Sequence, residues 1–168
     1  MPLESLVEPL AAFKGVARRF QVVGEARDVQ VVDDFAHNPA KVEAALRAAQ
    51  ARSPRVLAVF QPHGYGPLRF LRAEFVETFS RVLRPQDRLW FLDVYFGGGT
   101  VTRDISSEEV VAEIAVRGAG ASFAPSREAL IATLAGEARA GDLVLVMGAR
   151  DPSLSELAMA ILGALSRG

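Results

Sequence analysis

Short runs that are almost wholly apolar alternate along this chain with longer stretches whose apolar residues recur every three or four positions. The runs cover residues 29–33, 55–60, 88–94 and 142–147, with a minor one at 121–124. Continuous apolar runs of this length are expected of strands buried on both faces. The periodic stretches predict amphipathic helices. One spans 39–52, with Val42, Leu46 and Ala49 inward. A second spans 69–83, with Leu71, Phe75, Phe79 and Val82 on one stripe. A third opens at Ser106, and a fourth is capped by Ser126 and carries Leu130, Ile131 and Leu134. A last one carries Leu154, Leu157, Ala158, Ile161, Leu162 and Leu165. Strand–helix alternation of this kind implies an α/β fold with a doubly wound, Rossmann-like and mostly parallel sheet of about six strands, helices on both faces.

Local signals sharpen the ends of these elements. Ser106 with Glu109, and Ser153 with Glu156, match capping boxes. Asn38 before Pro39 reads as an N-cap followed by a proline at the first helical position. Residues 19–23 and 29–33 flank a short polar stretch, 24–28, which predicts an N-terminal antiparallel hairpin. Leu3, Leu6, Val7 and Leu10 lie at helical spacing with Gly15 as a stop, so 1–14 reads as a linker helix from a preceding domain and 15–168 as one domain.

In a parallel sheet the loops at the carboxyl ends of strands share one edge, where ligands bind in open α/β folds. Here those loops differ from the rest. The amino-end loops, such as 51–54, 84–87 and 140–141, are plain. The carboxyl-end loops hold Asp33, Asp34, Phe35, Ala36, His37, Asn38 and Pro39, then Gln61 to Arg69 with His63 and Tyr65, then the glycine loop 97–99, then 148–152. Both histidines of the chain fall on this edge. Each motif also has a bland reading: Asp33-Asp34 as turn formers, His37 as a packing histidine, 97–99 as a flexible loop, 148–152 as a mere strand-to-helix turn, and Arg18-Arg19 as a solvated strand start.

Composition narrows the possibilities. The 168 residues are 50% hydrophobic and 23% charged, which is globular and sufficient for one proper core. A net charge of −1 gives no bulk attraction to nucleic acid or to an anionic membrane. The absence of cysteine removes disulfide, thiol and thiolate–metal chemistry, and two histidines are too few for a histidine-rich metal site. No apolar run spans a bilayer and no signal-peptide pattern opens the chain, so a cytoplasmic location is expected. Phosphate-loop, dinucleotide and nucleophile-elbow motifs are all missing. The chain offers groups that position a ligand but no complete catalytic machine, so no catalytic residue is assigned.

Four segments in order carry a family resemblance: Phe13-Lys14-Gly15-Val16-Ala17-Arg18-Arg19-Phe20-Gln21, Asp33 to Pro39, Phe60-Gln61-Pro62-His63-Gly64-Tyr65, and Met147-Gly148-Ala149. Together they resemble the C-terminal domain of the Mur ligases, most closely the UDP-N-acetylmuramate–L-alanine ligase branch of peptidoglycan synthesis. Folylpolyglutamate synthase is a more distant relative. The resemblance implies a Rossmann-like third domain that closes over ATP and brings an amino acid to an acyl phosphate. The phosphate loop and most of the Mg2+ ligands would sit in a central domain, and the UDP-N-acetylmuramate-type substrate in another. By that resemblance Arg19 would reach the phosphates and Asp34 the ribose hydroxyls, with His37 and Asn38 beside the nucleotide. Phe35, His63 and Tyr65 would line the substrate side.

Departures accompany the likeness. Phe35 stands where the alanine-adding enzymes usually carry tyrosine, and Asn38 where they carry a second histidine. Pro67 occupies the position of an arginine expected to hold the amino-acid carboxylate, and Arg69 is the candidate substitute. The loop 97–100 lacks the usual glutamate. Two other readings remain open at this point. One is a stand-alone nucleotide- or amino-acid-binding module. The other is a small self-contained enzyme using His37 or His63 as a base with Asp34, which requires those loops to converge.

Overall fold

The computed structural model describes residues 15–167. The predicted helix at 3–10 lies outside them. Six strands, β1 (Gln21–Ala26), β2 (Val29–Asp34), β3 (Arg55–Phe60), β4 (Arg88–Phe91), β5 (Ala121–Phe123) and β6 (Asp142–Met147), form one sheet in the order β1-β2-β6-β3-β4-β5. β1 pairs antiparallel with β2, and every other pairing is parallel. The helices are α1 (Pro39–Gln50), α2 (Tyr65–Phe70), α3 (Arg72–Val82), α4 (Ser107–Val116), α5 (Arg127–Glu137) and α6 (Leu154–Arg167). The doubly wound fold with its leading hairpin is therefore present. No described helix is long and apolar enough to cross a membrane.

The period of two along each strand builds a core on each face of the sheet. Val56, Ala58 and Phe60 of β3 point to the side covered by α1, α3 and α4, where they meet Leu46, Phe75, Phe79 and Ile114. Leu57 and Val59 point to the other side, against Leu130, Leu134, Leu157 and Ile161 of α5 and α6. Phe60, Phe75, Phe79 and Phe91 form one aromatic cluster with neighbouring centroids 5.1–6.2 Å apart. β6 slots between β2 and β3, so the β2–β3 connection passes across it through α1 on one face, while β6 itself leads into α6 on the opposite face. This change of face opens a crevice at the carboxyl ends of β2, β6 and β3.

Several predicted boundaries shift for local reasons. The hairpin loop is only Arg27-Asp28, both at left-handed φ (55° and 59°), as a two-residue primed turn requires. Gly24 instead lies within β1 at a register shift, where an added Cβ would come 2.5 Å from Leu162 of α6. The predicted helix 69–83 begins earlier, at Tyr65, because Pro67 sits in the first turn where its missing N–H costs nothing. It then bends at Leu71, which separates α2 from α3. β4 ends at Phe91 because its partner β3 ends at Phe60. The Asn38, Ser106 and Ser126 caps are made as predicted. Ser153 is not: its hydroxyl donates to Asp151 (2.5 Å) and accepts from Arg127 (2.8 Å).

One of the plain amino-edge loops conceals a fully buried carboxylate. Asp87 accepts hydrogen bonds from the Val56 N–H (2.9 Å), the Arg84 N–H and guanidinium, and the Gln50 amide (2.9 Å). It thereby ties β3, α1 and the end of α3 together. Burial alone would raise its pKa, but these hydrogen bonds outweigh burial and hold it below the ordinary carboxylate value. A depressed folded-state pKa contributes stability above the unfolded value, near 3.9, that is lost as pH falls through the folded one. Asp87→Asn is therefore expected to cost about 1–3 kcal/mol at neutral pH. In urea titrations the gap from wild type should narrow below about pH 4. A gap independent of pH would contradict this assignment.

Candidate functional site

The leading loop before β1 is strained and is held in place by long-range bonds. Arg18 and Phe20 adopt left-handed φ (56° and 47°), uncommon for residues with a Cβ. The Arg18 guanidinium donates to the carbonyls of Gly148 (2.7 Å) and Ala149 (3.2 Å) and to buried Asp33 (3.3 Å). Arg18 is thus a clamp, not the solvated strand start its sequence suggested. Asp33 also accepts from Ser155 of α6 (2.6 Å), so it is a structural hub and not a turn former. Asp34 accepts from the Phe20 N–H and the Ala36 N–H, both at 2.7 Å, and so fixes the leading loop against the β2–α1 turn.

The residues marked out by the sequence form a continuous row. The Arg19 guanidinium lies 5.9 Å from the Phe35 ring centroid, Phe35 lies 5.4 Å edge-on from His37, and His37 lies 5.0 Å edge-on from His63. His37 Nδ1 is 2.8 Å from the Phe35 carbonyl. A carbonyl only accepts, so Nδ1 carries the proton, and in the neutral ring Nε2 is the acceptor. The His63 pKa is lowered, first by burial and then by the positive charge of His37 and of Arg150. Asn38 stands outside the row. Its side-chain oxygen caps α1 by accepting from the Lys41 N–H (3.0 Å).

A cleft opens toward each end of this row. The first, about 270 Å³, is lined by Arg19, Phe20, Asp34, Ala36, Lys41 and alanines of α1. It combines two cations with an apolar wall. The second, about 190 Å³, lies between the β3–α2 loop and the glycine loop and is lined by His63, Tyr65, Tyr95, Phe96, Arg150 and small residues. Tyr65 and Phe96 meet edge-on at 6.1 Å, and the Arg103 guanidinium covers Phe96 at 3.8 Å. Gly98 and Gly99 take φ of 97° and 103°, which the turn of this loop requires and side-chained residues rarely adopt. Arg69 does not line this cleft; it donates to Asp104 and to the Thr102 carbonyl (2.9 Å), bracing the loop from outside. Among the described residues no group of three or more His, Asp or Glu could hold a metal ion.

The two histidine loops therefore converge, as a base-driven enzyme would need. Asp34, however, directs its hydrogen bonds among the described residues to backbone N–H groups and not to either imidazole, and His37 turns its proton to a carbonyl. Among the described residues no carboxylate hydrogen-bonds to either ring. Arg18, Lys41 and Arg150 were not singled out from the sequence. Arg18 bridges to residues about 130 positions away, a contact no local pattern reveals. Arg150 could have been flagged as the one cation in a carboxyl-edge loop otherwise read as a turn.

A family model described as "Mur ligase, glutamate ligase domain" matches residues 18–150. The chain belongs to this family. It is 42% identical over 149 residues to a UDP-N-acetylmuramate–L-alanine ligase from Kineococcus radiotolerans, covering 88% of the chain and 31% of the relative. Among solved structures, UDP-N-acetylmuramate-alanine ligase from Thermotoga maritima superposes with a TM-score of 0.72 at 21% identity, over 97% of this chain and 33% of that one. A bifunctional folylpolyglutamate synthase/dihydrofolate synthase from Yersinia pestis superposes with a TM-score of 0.62 at 16% identity, over 97% and 34%. At such identities the two structures show the fold alone. The chain spans about a third of the length of the curated relatives it matches. The matched span contains the leading clamp, the histidine row and both clefts.

Proposed function

We propose that this chain is the C-terminal domain of a cytoplasmic, ATP-dependent Mur-type amino-acid ligase of peptidoglycan precursor synthesis. In this reading the domain closes over ATP held mainly by a preceding domain and delivers the incoming amino acid to the activated carboxylate of a UDP-N-acetylmuramate-type substrate. The observation that carries it is the unbroken row Arg19–Phe35–His37–His63, which joins a cationic cleft to an aromatic one. That arrangement suits a two-substrate reaction in which two ligands must meet end to end.

The first cleft fits part of a nucleotide. Arg19 and Lys41 would pair with phosphate oxygens, the guanidinium in bidentate fashion. Phe20 and the alanines of α1 offer an apolar wall. Asp34 keeps lone pairs beyond its two backbone bonds and can accept from ribose hydroxyls. When bound, ATP would supply the phosphoryl group that activates the substrate carboxylate, with Mg2+ screening its charge. This chain's own residues bind and orient: Arg19 offers positive charge where phosphate charge lies, and the His37–His63 pair separates that charge from the second cleft.

Because both clefts are formed within the described residues, a stand-alone binding module is the second reading. Calorimetry of the chain with ATP and amino acids separates the two. The ligase reading expects binding weaker than micromolar, because the partner half of the site lies in another domain, and no ATP hydrolysis. Micromolar or tighter affinity, about −8 kcal/mol, would favour the module.

A further inference from the structure

The lining of the second cleft has an uneven chemistry. It is made of aromatic rings, glycines, Pro67, Val101, one imidazole and one permanent charge, the guanidinium of Arg150. Among the described residues no carboxylate lines it. Among the described residues Arg150 takes part in no hydrogen bond and no ion pair, although it stands in the loop just after β6, at the sheet's carboxyl edge. Its neighbour Asp151 does not neutralise it. That carboxylate is held by Arg127 (2.6 Å) and by the Ser153 N–H and hydroxyl. The same bonds fix the loop that presents Arg150. Arg69, the candidate cation from the sequence, is occupied by Asp104 and Thr102.

We infer that Arg150 is the carboxylate anchor of this cleft, which takes a small α-amino acid with its carbon skeleton against Tyr65 and Phe96. The inference rests on the ligase reading and names the residue that would set its acceptor. A guanidinium offers a planar fork that matches a carboxylate, and the aromatic rings beside it offer an apolar wall for the carbon skeleton. The cleft's volume, about 190 Å³, falls below the roughly 300–1,000 Å³ of drug-sized sites, which favours a single residue over a peptide. With no acidic group to hold an ammonium, the amine end is left toward His63. The neutral His63 ring can accept a hydrogen bond from it, and the histidine row leads from there toward the cationic cleft. The anchor thus orients the nucleophile toward the site where phosphoryl chemistry is proposed.

The test is steady-state ligation by the ligase carrying this domain, with Arg150→Gln and Arg150→Lys. Arg150 is exposed on its loop, so neither change touches the core. The expected result for Arg150→Gln is a KM for the amino acid raised roughly 10- to 100-fold, with KM for ATP unchanged and Arg150→Lys intermediate. A merely structural role would move the ATP KM as well. An unchanged amino-acid KM overturns the anchor and leaves the ligase reading standing. If the wild-type protein ligates no amino acid, the ligase reading fails, and NMR titration of the chain with L-alanine and L-alaninamide decides the anchor. Shifts at Gly64, Gly66, Gly97 and Gly98 with L-alanine alone, lost in Arg150→Gln, support it. No response, equal responses to both compounds, or an undiminished response in the variant overturn it.

Discussion

Arg18→Ala is expected to lower the unfolding free energy by about 3 kcal/mol. The side chain joins three elements at once: the leading loop, β2 through Asp33, and the loop after β6 through the Gly148 and Ala149 carbonyls. Removing it leaves the Asp33 carboxylate, 1% exposed, with the Ser155 hydroxyl as its remaining side-chain donor. Breaking a buried pair from one side costs roughly 3–5 kcal/mol. The lower end applies because the arginine side chain keeps 17% of its surface exposed. The left-handed φ at Arg18 and Phe20 adds to the effect, since strained backbone persists only while its surroundings hold it. Urea denaturation of the variant checks this. A loss well under about 1 kcal/mol would show that the loop stands without its clamp.

The contrast between neighbouring arginines shows what sequence can and cannot reveal here. Strands and helices were legible because the two- and 3.6-residue periods differ sharply, as β6 and α6 demonstrate. The carboxyl-edge placement of Phe35, His37, His63 and Tyr65 followed from chain direction in a parallel sheet, and the structure brings these loops together. The insertion of β6 between β2 and β3 was not legible, because strand order is decided by packing between distant segments. For the same reason Arg18 read as a solvated strand start and Asp33 as a turn former, and Asp87 was passed over. Each is defined by partners far along the chain, while its local neighbourhood reads as an ordinary loop or strand end. The Ser153 cap failed because a stronger partner, Asp151, lay two residues away. Arg69, two residues beyond the arginine position that Pro67 occupies, was the candidate substitute for a substrate cation, yet Asp104 engages it.

Arg19 is the opposite case to Arg18. It is exposed, and its side chain makes no hydrogen bond or ion pair among the described residues; it lies over the Phe35 ring at the mouth of the cationic cleft. Nothing in the fold depends on it, so Arg19→Ala should leave thermal stability within about 0.5 kcal/mol of wild type. If its charge faces ATP phosphates during ligation, its loss should be felt in turnover. Donors aimed at developing charge in a closed site are each worth about 10²–10³ in rate. The most direct test of the whole account is therefore kcat/KM for ATP in amino-acid ligation by the ligase carrying this domain, measured for wild type and Arg19→Ala. The account predicts a fall of about 100-fold with unchanged melting temperature. Ligation proceeding at the wild-type rate in the variant would contradict it.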